Sequence, residues 1–140
     1  MNKVLVSCAL AAMTFAAAPQ ALKAADYPCP QGNETLRGTY ISLHPTGYVV
    51  GVGPITANGT ITFDRKGNAT NTFSVSINGV IQRGVTHVGP YTVNPDCTAT
   101  LNLSGANFDM VVMPDGSRFS WVEVDPGIVL SGESVRFTNE

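Results

Sequence analysis

From Gly59 to Leu103 apolar and polar residues alternate almost without interruption, and only short turn signals break the pattern, at Asp64-Arg65-Lys66-Gly67-Asn68, Asn78-Gly79 and Asn94-Pro95-Asp96. A period of two is the side-chain period of a strand, so each run carries one face for a core and one for water. Ile61 and Phe63 share a face, as do Phe73, Val75 and Ile77, and then Ala99, Leu101 and Leu103. Thr60, Thr62, Ser74, Ser76, Thr98, Thr100 and Asn102 take the other side. Asn78-Gly79 suits a two-residue type I′ hairpin, because both positions tolerate positive φ. A meander of this kind, in a chain with no helix-period segment beyond its N-terminal leader, restricts the fold to a small barrel or sandwich whose function lies in a lumen or in loops.

The flanks extend the pattern. Arg37 to Leu43 reads as a first strand, and Thr46 to Pro54, with Gly47, Gly51, Gly53 and Pro54, reads either as a bulged strand through Tyr48-Val49-Val50 or as a loop. Asn107–Met113, Ser117–Val124 and Ile128–Phe137 add three strands, separated by Pro114-Asp115-Gly116 and Asp125-Pro126-Gly127. Eight or nine short strands on hairpin-sized turns predict an all-β fold, a small antiparallel up-and-down β-barrel of about eight strands. Closure also hides strand edges that would otherwise invite aggregation.

The first residues have the layout of a secretory signal: Asn2 and Lys3, an apolar stretch from Val4 to Ala18, then small residues through Ala21, Ala24 and Ala25. The expected organisation is a signal peptide over 1–24, an N-terminal arm over 25–36 and a barrel domain over 37–140. The product is expected to be exported, periplasmic or secreted, with no stable membrane insertion. Leu5-Val6-Ser7-Cys8 resembles a lipoprotein box, but the apolar run before Cys8 is shorter than the ~7 residues an export signal needs, so Cys8 leaves with the leader. Cys29 and Cys97 remain, and an even pair in an exported chain predicts a disulfide. It would hold the arm against the turn at Asn94-Pro95-Asp96. Matches to the glycosylation sequon, such as Asn68-Ala69-Thr70, follow from the Asn/Thr-rich composition in a chain with a bacterial-type leader.

Charge is sparse. Beyond residue 24 stand six basic and ten acidic residues, a net charge of about −4, with no basic run among aromatics, so nucleic acid is not an expected partner. His44 and His87 show no metal-ligand spacing, and neither a metal nor a cofactor is expected.

The strand from Val80 to Val88 carries the main chemical question. Ile81, Arg83, Val85 and His87 form one face and Val80, Gln82, Gly84, Thr86 and Val88 the other, so either Arg83 and His87 enter the lumen together or neither does. Glu123 shares parity with Phe119 and Trp121, whereas Asp109 alternates with Phe108 and Met110 and should face water. Arg83, His87 and Glu123 are thus the catalytic candidates. Tyr40, Tyr48, Phe119 and Trp121 are candidates for an apolar ligand-binding wall. No Gly-x-Ser-x-Gly nucleophile elbow is present.

Gly38-Thr39-Tyr40, Gly59-Thr60-Ile61-Thr62-Phe63-Asp64 with Gly67-Asn68, Asn78-Gly79, and Gly89-Pro90-Tyr91-Thr92-Val93-Asn94-Pro95-Asp96-Cys97-Thr98 together resemble the small exported bacterial proteins grouped with the allene oxide cyclase barrel-like family. The resemblance spans about Leu36 to Phe137 and rests largely on turn chemistry. It implies an eight-stranded antiparallel barrel with an apolar lumen, on which relatives include cyclases, cycloaddition enzymes and dirigent proteins. Their catalytic residues match no positions here. The expected function is therefore the binding of a small hydrophobic or aromatic molecule in the lumen. A cofactor-free cyclase or isomerase, and an envelope structural or interaction protein, are the alternatives.

Overall fold

Eight antiparallel strands form because the alternating runs can bury one face each, and they close on themselves in simple sequence order. The strands are β1 (Gly38–Val49), β2 (Gly53–Phe63), β3 (Asn68–Ile77), β4 (Val80–Val93), β5 (Thr98–Leu103), β6 (Ala106–Val112), β7 (Arg118–Glu123) and β8 (Ile128–Arg136). A 3-10 turn, Gly32–Thr35, precedes them. The computed structural model describes residues 27–138; the leader and its cleavage lie outside them. Among the described residues no helix is long and apolar enough to cross a membrane.

The up-and-down barrel expected from the meander is the observed fold, closed by β1 against β8 from Tyr40↔Arg136 to Val49↔Ile128. Thr46 to Val49 is strand rather than loop. Asn78 (φ 48°) and Gly79 (φ 86°) both take positive φ, as a type I′ hairpin requires. Four turns are fastened by carboxylates. The Asp64 carboxylate, for one, accepts from the backbone N–H of Lys66 and of Asn68 and from the Asn68 side chain, which lowers its pKa to about 2.

Two strands do not keep one parity. Between Ile41 and Thr46, β1 advances one residue more than either neighbour, with His44 in the left-handed region at φ 48°. In β4, Ser74 of the neighbouring strand faces both Arg83 and Gly84, since Phe73 pairs with Val85 but Val75 pairs with Gln82. Gly84 (φ 65°) supplies the left-handed residue that such a bulge needs. Each bulge reverses the face of everything beyond it.

One end of the barrel is packed solid. Leu36, Tyr40, Phe63, Tyr91 and Phe119 are nearly fully buried there, and the rings meet edge to face, with Phe63 4.8 Å from Tyr91 and 5.6 Å from Phe119 between centroids. The N-terminal arm caps this floor. Cys29 is bonded to Cys97, its N–H donates to Pro95 O at 2.9 Å, and Asn33 accepts through Oδ1 from the Val93 N–H at 2.8 Å. Tyr91 Oη donates to Asn33 O at 3.0 Å, and burial pushes its pKa up to about 12.

Candidate functional site

Above that floor the barrel is hollow, and the reason is side-chain size. Where the floor has four aromatic rings, the wall above it includes the small residues Ala57, Gly59 and Ala106, and the space left over is a cavity of about 360 Å³. Its walls are mostly aliphatic and aromatic. Ile55, Val75 and Leu130 form a buried cluster around it, flanked by Val49, Phe73, Ile77 and Ile128. A few polar groups converge on it, among them Asn71, Gln82, His87 and Glu123.

The cavity opens at the end opposite the arm. β4 register pairs with β5 run only from Tyr91 to Val93, with one further backbone bond from Ser104 N–H to Val88 O, so the upper part of β4 rises past the short β5, β6 and β7. The wall is lowest over those three strands.

The sequence candidates divide across this geometry. Trp121 and Phe119 line the cavity. Trp121 lies across Gly132, where an added Cβ would stand 2.8 Å from its ring, and meets Phe108 edge to face at 5.7 Å. Tyr40 is fully buried in the floor beneath the cavity, and Tyr48 is half exposed on the outer surface because the His44 bulge turned it out. On β4 the bulge separates two residues that one strand parity would keep together. His87 faces the cavity, packed edge to face on Phe73 at 5.1 Å between centroids, while Arg83 is exposed outside. Gln82 joins the cavity lining at its exposed rim for the same reason, and a period-two reading could not place it there together with His87.

Glu123, the last residue of β7, is the most unusual member. It is 9 % exposed and lines the cavity, and its carboxylate makes no hydrogen bond or ion pair among the described residues, its oxygens keeping contact with the open lumen instead. Burial raises its pKa, and the Asp125 carboxylate two residues on adds to the rise. Asp125 is itself held low by the Asn107 side chain and N–H. Across the lumen the other titratable group is His87.

A raised carboxyl pKa means that the folded protein holds a proton the unfolded chain has released, so stability falls as pH rises from the ordinary Glu value through the raised one. Glu123→Gln removes that loss. The variant should melt higher than the parent at pH 7 and lose its advantage toward pH 4, as followed by thermal circular dichroism; equal melting curves at both pH values would show that burial does not strain this carboxylate.

A scan against protein families finds no match for the chain, and none appears among the curated proteins or the solved structures compared with it.

Proposed function

We propose that this is an exported barrel, periplasmic or secreted, of the allene oxide cyclase barrel-like kind, whose lumen binds a small hydrophobic or aromatic molecule. The observation that carries this reading is the hollow tier: an apolar chamber of about 360 Å³ over a sealed aromatic floor, within the size range of small-molecule sites. The Cys29–Cys97 bond fits an oxidising compartment.

Trp121 is the only tryptophan of the chain and lines the chamber, so its emission reports occupancy directly. Titration with the neutral probe N-phenyl-1-naphthylamine should quench it saturably at one site. Ala57→Phe, which puts a ring into the chamber, should weaken that binding by ~10-fold or more, equivalent to about 1.4 kcal/mol, without lowering the melting temperature. A parent protein that leaves Trp121 unperturbed up to the probe's solubility would refute lumen binding.

The cyclase alternative draws on His87 and Glu123 facing one apolar chamber, with Arg83 outside it. The envelope-interaction alternative draws on exposed apolar side chains at the open end, Val50, Val52, Val80 and Ile81, where Asn78 N–H donates to Pro54 O and brings the two turns together.

A further inference from the structure

We infer that the lumen selects a lipophilic cation, an apolar body ending in a protonated amine, whose charged end sits on Glu123 near the opening while its tail fills the chamber toward Phe119 and Ile61. This rests on the lumen-binding reading and adds the ligand's charge to it. Three independent observations support it. The first is Glu123 itself: a carboxylate nine-tenths buried without a partner among the described residues is costly, and a cation delivered by the ligand supplies the missing counter-charge.

The second is the sign of everything around it. No Lys or Arg lines the cavity among the described residues; Arg83, the one that strand parity could have sent inside, is turned out by the Gly84 bulge. Asp125 adds a second negative charge at the Glu123 end, fixed there by two hydrogen bonds from Asn107. A fatty-acid carboxylate would meet two like charges and neither a Lys nor an Arg. A neutral ligand would leave Glu123 unpaired.

The third is position. Glu123 ends β7 and pairs with Phe108, on the low side of the wall, whereas the deeper lining is apolar apart from amides, hydroxyls and the imidazole of His87. A molecule entering tail first therefore buries its apolar part against Ile61 and Phe119, next to the floor, and leaves its head at the carboxylate.

The test uses three probes with one tail, decylamine, decanol and decanoate, each below its micelle concentration at pH 8, read by Trp121 emission on the parent protein and on Glu123→Gln. Decylamine should bind at least ~10-fold tighter than decanoate, and Glu123→Gln should weaken decylamine by ~10-fold while leaving decanol within about two-fold. Retained decanol binding shows that the variant's lumen is intact. Should Glu123→Gln fail to fold, the ranking of the three probes on the parent protein decides. Decanoate binding as tightly as decylamine, or decylamine indifferent to Glu123→Gln, overturns the cation inference and leaves lumen binding standing. If none of the three probes perturbs Trp121, lumen binding falls and the cation inference with it.

Discussion

Replacing Cys29 and Cys97 with serine, or reducing their bond, should lower stability by about 2–5 kcal/mol, the usual loss for a small exported domain. The bond closes a loop spanning 68 residues, for which the chain-entropy account gives roughly 4 kcal/mol. For a domain of this size that corresponds to a fall in melting temperature on the order of 10–15 °C. The effect should be local before it is global. The arm is held to the barrel by the disulfide and by a handful of bonds, Cys29 N–H to Pro95 O, Val93 N–H to Asn33 Oδ1 and Tyr91 Oη to Asn33 O, and it covers the buried Leu36. Without the covalent tie these bonds break and re-form independently of the barrel. Hydrogen exchange should therefore accelerate at the Val93 amide, which depends on the arm, well before it does at strand amides of β2 and β3. Thermal melts of the double serine variant, with and without reductant, check the first part. A shift below about 2 °C would mean that the non-covalent contacts alone dock the arm.

Much of this architecture can be read from single residues. Ile61, Phe63, Phe73, Val75, Leu101 and Leu103 alternate with Thr and Ser, and the structure buries them or lines the cavity with them. Glu123 was traceable to the inside by its parity with Phe119 and Trp121. What failed was parity across a bulge. A bulge is a one-residue event, and a shift of one residue in register leaves little mark in a hydropathy pattern; only its local signals are visible, Pro45 after His44 in β1 and Gly84 in the middle of β4. The bulges they mark separate His87 from Arg83, which a period-two reading kept on one face, and turn Tyr48 outward. The division into a filled floor and an empty chamber was less legible still. It depends on which residues of eight strands come level, so that Tyr40, Phe63, Tyr91 and Phe119 meet in the floor while small residues, Ala57, Gly59 and Ala106, fall on the wall above it. No stretch of sequence contains that coincidence.

The same division makes Tyr40 the side chain with the largest expected cost. It has no exposed surface, and its ring lies 5.5 Å from Phe63 and 5.3 Å from Phe119 between centroids. Its hydroxyl donates to Gly116 O at 2.6 Å and accepts from Arg136 Nη2 at 3.3 Å and, more weakly, from the Arg37 N–H at 3.4 Å. One side chain thus joins β1, the β6–β7 turn, the end of β8 and the arm. Tyr40→Phe keeps the ring but leaves the buried Gly116 carbonyl without its donor, which should cost about 1–3 kcal/mol. Tyr40→Ala removes the ring as well and leaves a hole between two aromatics, for which about 3–5 kcal/mol or more is expected, because the phenol network is lost with it. Thermal melts and urea titrations of the two variants should rank in that order. Their ligand behaviour should separate floor from chamber. Tyr40 lies below the cavity lining, and Tyr40→Phe keeps the ring that supports Phe119, so this variant should bind N-phenyl-1-naphthylamine within about two-fold of the parent despite its lower stability. A Tyr40→Phe variant that lost probe binding while remaining folded would show that the floor and the chamber are one coupled unit.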